Sequence, residues 1–155
     1  MFQIIHEYMF PESKMESYEP SESTKFYYFA LKRADEKSDW RIHRLCPQTA
    51  IEKYPFYSFN LNKLNPIIDK LNKYWYSSSK ECSASSSINE TFWKREWEKY
   101  GSFMYNNCDE YDYFNTAIKL FESVKDNDEL IKKYQKNKTL VMIPYNQAFE
   151  IIQKL

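Results

Sequence analysis

Glycine is almost missing from this chain of 155 residues: it occurs once, as Gly101. Average usage would place about ten in this length. The shortage excludes a glycine-rich phosphate loop, a dinucleotide-binding fingerprint and a series of tight Asn-Gly hairpins. A charge excess is missing too, with 22 Lys+Arg against 22 Asp+Glu. Nothing global therefore points to a nucleic-acid or membrane partner. No run of 18 apolar residues occurs, so no membrane span is expected. The start, MFQIIHEYMFPESK, has neither a basic opening nor a continuous apolar stretch. No signal peptide is read there, and an intracellular location is expected. Three cysteines, Cys46, Cys82 and Cys108, are an odd number at irregular spacing. That is neither a disulfide framework nor a zinc pattern, and no metal or cofactor is expected.

What is present is a chain with 43% hydrophobic and 28% charged residues, ordinary for a globular protein. The length suits one domain with a real core. Aromatics reach 19%, with 14 tyrosines, a bias that an A/T-rich coding sequence also produces. Residues 1–24 read as an acidic, aromatic arm: Glu7, Glu12, Glu16, Glu19 and Glu22 stand against Lys14 alone. Residues 25–155 read as a single domain.

Along that domain, Lys25–Lys32 (KFYYFALK) predicts a buried strand. Trp40–Leu45 predicts a second strand, stopped by Pro47. Asn65-Pro66 opens a helix, with Asn as cap and Pro at the first helical position. Its face is Ile67, Ile68, Leu71, Tyr74 and Trp75. Residues 77–87 hold seven serines and read as a loop. Ser87-Ile-Asn-Glu90 has capping-box spacing ahead of a helix bearing Phe92, Trp93, Trp97 and Tyr100. A third helix covers about Asp109–Val124, and a short one follows Asn127. Thr139–Ile143 predicts a strand ended by Pro144, then a final helix burying Ala148, Phe149, Ile152 and Leu155. Few strands and several helices in mixed order give an α+β class.

Two segments carry candidate chemistry: Trp40-Arg-Ile-His-Arg-Leu-Cys-Pro47 and Phe92-Trp-Lys-Arg-Glu-Trp-Glu-Lys-Tyr-Gly-Ser102. On a helix, Glu96, Lys99 and Tyr100 share a face, and Arg95 and Lys99 are one turn apart. Physics alone favours a solvated charged face over an anion site. Trp93 and Trp97 read as core.

These segments resemble the two active-site motifs of the ribonuclease T2 family, roughly W/F-x-I-H-G-L-W-P and F-W-x-H-E-W-x-K-H-G-T-C. Their order matches, and EYDYFNTAIKLF is similar to a helix that follows in the family. The likeness covers roughly residues 25–150. It implies an α+β fold with a central antiparallel sheet packed on several helices, truncated at its C-terminal end. It also implies cleavage of RNA by attack of the 2′-hydroxyl on the adjacent phosphate, with two histidines as acid and base.

On this resemblance His43 matches the general acid, and Glu96 and Lys99 match the pair that stabilises the phosphate. Gly101 matches the motif's glycine, and a left-handed helix cap is expected there. The departures are severe. Tyr100 stands where the family has its base histidine, and Arg95 where it has a phosphate-contacting histidine. Arg44 replaces the first motif's glycine, Cys46 the tryptophan that lines the base pocket, and Phe103 a disulfide cysteine whose partner matches Cys82. The cysteines read as free thiols, with a Cys82–Cys108 bridge as the alternative. A phenol with an ordinary pKa near 10 is a poor base at neutral or acid pH. Arg95 retains a planar fork suited to phosphate.

The expected protein is therefore a degenerate, catalytically impaired ribonuclease-like module. Arg95, Lys99, Tyr100 and Arg44 are its phosphate-binding candidates. Its partner is single-stranded RNA, or a protein or ribonucleoprotein assembly; no membrane role is expected. The alternatives are a slow endonuclease working through His43, Glu96 and Lys99, and a purely structural subunit. His6 has no feature that would place it near Tyr100.

Overall fold

The computed structural model describes residues 3–4, 24–49, 58–77, 86–104 and 108–154. His6, Cys82, Leu155 and most of the expected N-terminal arm lie outside them. In chain order the elements are β1 (Gln3–Ile4), β2 (Thr24–Lys32), β3 (Arg41–Thr49), a 3-10 helix (Leu61–Ile67), α1 (Ile68–Tyr74) and α2 (Ser86–Lys99). A 3-10 turn (Gly101–Phe103), α3 (Glu110–Val124), α4 (Asp128–Tyr134), β4 (Gln135–Asn137), β5 (Leu140–Tyr145) and β6 (Ile152–Lys154) complete them.

The main sheet is antiparallel in the order β3-β2-β5-β4, and β1 pairs with β6 in a second, two-stranded one. Alternation explains β2: Tyr27, Phe29 and Leu31 are fully buried on one face. Helix α3 packs behind it with Tyr113, Phe114, Ala117, Ile118, Leu120, Phe121 and Val124 buried. Asp109 caps α3 in a reciprocal box with Asp112, which fixes the start expected from sequence. Asn127 caps α4 by accepting from the Leu130 N–H.

Several expectations are corrected. β3 runs through Pro47 to Thr49; it is the edge strand, where a missing N–H costs no ladder bond. β5 likewise runs through Pro144, because β4 pairs only with Leu140 and Val141 and stops short of it. The expected helix at Asn65-Pro66 begins earlier as a 3-10 helix. Asn60 is its cap, accepting from the Asn62 N–H, and Pro66 sits inside. Only from Ile68 does it become α.

The final helix does not form. The Asn146 side-chain oxygen accepts from the N–H groups of Ala148 and Glu150, both at 2.9 Å, closing a turn that leads into β6. Within this turn Phe149 adopts φ 60°, a left-handed conformation rare for a large side chain. Its ring stacks on Tyr27 at 4.8 Å and 10° between planes. That buried aromatic contact offsets the backbone strain.

Candidate functional site

The first motif lies on β3, and an irregularity in its pairing shapes the site. Leu45 faces Phe29 and Arg44 faces Ala30, but the next residue of β2, Leu31, faces Ile42. His43 is thus the extra residue of a β-bulge. Strict alternation would send Ile42 and Leu45 to opposite faces, yet both are fully buried. The bulge resolves this parity and leaves His43 and Arg44 consecutive and half-buried, off the core side.

The second motif lies on α2, anchored by its apolar face. Trp93 is 1% exposed, and its indole donates to the Trp75 carbonyl at 2.6 Å. Trp97 is buried against Tyr113. The Tyr113 hydroxyl donates to the Leu45 carbonyl at 2.8 Å, tying α3 to the first motif's strand. Both tryptophans are core, as the sequence indicated.

Gly101 follows as the first residue of a 3-10 turn. No glycine has a positive φ, so the expected left-handed cap is absent. A Cβ at this position would lie 2.4 Å from the Trp97 ring and 2.7 Å from the Tyr113 ring. Close packing, not backbone handedness, is what demands glycine here.

Arg44 joins the two motifs. Its Nε donates to Glu96 Oε1 at 3.0 Å and its Nη2 to Oε2 at 3.5 Å, a two-pronged pair. The guanidinium also lies 4.6 Å over the Tyr100 ring. Glu96 is fully buried, whereas the Arg44 side chain is 34% exposed. Burial pushes the Glu96 carboxyl above its usual range, against the opposing pull of Arg44, Arg95 and Lys99. Arg44, Glu96 and Tyr100 are therefore brought into contact.

Arg95 and Lys99 project as exposed cations on the same helix. The Arg95 guanidinium sits 5.9 Å over Phe92, and no ion pair holds either cation among the described residues. His43 is held down to a pKa of about 4, first by burial, then by the charges of Arg44, Lys32 and Arg41. At neutral pH it is an uncharged imidazole. Lys32 and Arg41 were not singled out from the sequence. Their signal was available: Arg41 precedes His43 by two positions, and Lys32 is Arg41's partner across the hairpin. Cys46 is half-buried beside the same cluster, and burial raises its thiol pKa, the opposite of a reactive cysteine. Among the described residues no group of three His, Cys, Asp or Glu side chains could hold a metal ion.

The arrangement is a cluster of cations around a buried carboxylate, Glu96, whose charge is matched by half-buried Arg44. It holds donors for a phosphate, one uncharged imidazole and one phenol, all in the order of the two motifs.

Comparison with known proteins places this geometry. The model of the Ribonuclease T2 family matches residues 4–144, which includes part of the expected arm. Ribonuclease 1 of Arabidopsis thaliana is 30% identical over 88 residues, 54% of this chain and 36% of that protein. Ribonuclease T2 of Danio rerio is 26% identical over 98 residues, 61% of this chain and 38% of that protein. The chain thus spans less than two fifths of the length of these relatives. Ribonuclease MC1 from the seeds of bitter gourd has the same fold, with a TM-score of 0.63 at 14% identity over 83% of this chain and 92% of that one. A mutant of that ribonuclease, solved in complex with 5′-UMP, gives a TM-score of 0.61 at 13% identity over 85% and 93% of the two chains. The α+β fold, an antiparallel sheet packed on helices, is the one expected from the motifs.

Proposed function

The chain belongs to the ribonuclease T2 family, and from that premise we propose that it binds single-stranded RNA where Arg44 joins β3 to α2 and cleaves it poorly or not at all. The Arg44–Glu96 pair carries this reading. Family chemistry uses a carboxylate and a lysine around the reacting phosphate. Here both carboxylate oxygens face Arg44. A carboxylate held by Arg44 cannot turn to a pentacovalent phosphate without first breaking that pair and leaving its own buried charge without it, which costs several kcal/mol.

Two further features support it. His43 is uncharged above about pH 5, given a pKa of about 4, so it has no proton to give a leaving oxygen at neutral pH. Tyr100 offers a phenol where the family has an imidazole base, and Arg44 packs over its ring. Binding is better served. Arg95 and Lys99 present charged donors to solvent, and the planar fork of Arg95 suits a phosphodiester.

A second reading, a slow acid endonuclease, draws on the presence of His43, Glu96 and Lys99, because His43 gains its proton in acid. One assay separates the two. Purified protein is incubated with RNA from pH 4 to 8 beside a His43→Ala control. Cleavage abolished by that change establishes the enzyme and sinks the binding module. Absence of cleavage, with mononucleotide binding lost in Arg95→Ala and Lys99→Ala, supports the binding module. Binding indifferent to both changes leaves only a structural or assembly role.

A further inference from the structure

Arg44, Lys63, Lys70, Lys125 and Lys138 each face a carboxylate. Lys32 and Arg41 do not, although Arg41 is only 8% exposed and Lys32 is half-buried. Among the described residues neither side chain has an ion pair or a hydrogen bond. The two are direct partners across the β2–β3 ladder, so both point to one face. Like charges in that relation repel. A buried guanidinium without an acceptor adds a desolvation cost. The chain thus carries a cost here that a bound anion removes.

The support under Arg41 is fixed. Its guanidinium lies 5.3 Å over the Tyr76 ring. Tyr76 is anchored on both sides: the Trp75 carbonyl accepts from Trp93 at 2.6 Å, and the Ser77 N–H donates to Asn89 at 2.9 Å. Asn89 is itself 4% exposed and donates to Asn72. Stacking on a ring leaves the N–H edge of a guanidinium available for two oxygens. Neither residue carries the family resemblance. Arg41 fills the variable place of the first motif, and Lys32 lies outside both.

We propose that Lys32 and Arg41 form a binding site for a phosphate dianion, free or at the terminus of an RNA strand. Charge selects the ligand. A phosphodiester has a single negative charge and leaves one of the two cations unmatched, whereas a terminal phosphate carries about −1.5 to −2 at neutral pH. A carboxylate has oxygens enough for the arginine fork alone, and phosphate has a third for the ammonium. His43, whose uncharged imidazole feels both cations, can add one N–H donor. The site itself is independent of the RNA-binding reading; only the strand terminus as its source rests on that reading.

The test begins with inorganic phosphate, against chloride at equal ionic strength, on the full chain carrying Arg95→Ala and Lys99→Ala to silence the other candidate cations. Calorimetric titration is expected to show saturable binding, weakened about tenfold or more by adding Arg41→Met or Lys32→Met. Arg41→Met keeps an apolar stem on Tyr76 and removes an unmatched charge. It is expected to leave the phosphate-free Tm equal or higher and to lose the rise in Tm that phosphate gives. The wild-type chain gives a readout free of any variant's folding. By proton NMR the His43 titration is expected to move up from about pH 4 on adding sulfate, which keeps two charges in acid, because the anion offsets two of the cations that hold it down. Trinucleotides of 2′-O-methyl RNA with a 5′-phosphate, a 3′-phosphate or neither then separate the sources. Tighter binding by about tenfold with a terminal phosphate, lost in Arg41→Met, supports the strand terminus. Phosphate binding without any gain from a terminal phosphate supports the free anion. No saturable phosphate binding, or binding unchanged in both methionine variants, overturns the site even where RNA binds through Arg95 and Lys99. Phosphate bound with no trinucleotide bound supports the site and overturns the RNA-binding reading.

Discussion

At the residue scale the pair of half-buried Arg44 and buried Glu96 bears on both stability and pH response. Arg44→Ala strands a fully buried carboxylate and is expected to cost about 3 kcal/mol at pH 7 by urea denaturation. The loss should shrink in acid, where Glu96 takes up a proton. In the native chain two titrations oppose each other. His43 has a folded pKa of about 4, below its ordinary 6.5. Its contribution is complete above pH 6.5 and is lost as pH falls toward 4, because the unfolded chain takes the proton first. Glu96 is raised above 4.5, so its contribution is complete below that value and fades as pH rises through its folded pKa. His43→Gln should therefore flatten the fall in stability between pH 6.5 and 4, and Glu96→Gln should steepen it. Gly101→Ala forces a methyl into two rings and is expected to cost about 1–3 kcal/mol, read as a lower Tm. The motif strings named Arg44, Glu96 and Tyr100, which the structure brings into contact. What Arg44 does was not legible in them. A string shows that a long cation replaces glycine, but not that a buried carboxylate 52 positions later would claim it. Gly101 was located correctly but given a turn's reason, because a one-dimensional pattern carries no information about which rings approach.

At the element scale, strands and helices with a single dominant pattern were legible and the last segment was not. β2 is a short, unbroken apolar run, and α3 has both a capping box and an apolar stripe. Residues 146–154 mislead because Ala148, Phe149 and Ile152 imitate helical spacing. The deciding groups are Asn146, whose side chain captures two backbone N–H groups, and Phe149, whose ring is worth more on Tyr27 than in a helix. Asn146→Ala should release this turn at a cost of about 1–3 kcal/mol. Hydrogen exchange should then show β6 losing protection before β2 does. Both prolines that seemed to end strands lie instead where no neighbouring strand asks for their N–H, a fact that depends on sheet order and not on local sequence.

At the scale of the whole molecule, a neutral chain carries a local positive site, so RNA affinity should depend on salt only through that site. Each phosphate neutralised contributes about −0.7 to the slope of log K against log salt for single strands. Lys99→Ala should reduce the slope by about that amount. If the chain cleaves poorly because of the side chains at this site, the defect is reversible. Combining Tyr100→His, Arg95→His and Arg44→Gly should raise RNA cleavage by about 10²–10⁴ over the native chain. An unchanged rate would show that the fold around the site, not its side chains, prevents the reaction. The extra residue at His43 has a last consequence, for changes in length. Substituting His43 leaves the backbone path of β3 intact, whereas deleting it restores strict alternation with Ile42 and Leu45 two positions apart and still on the core face. Loss of the position would therefore spare the core and remove one of the two consecutive side chains that β3 presents to the site.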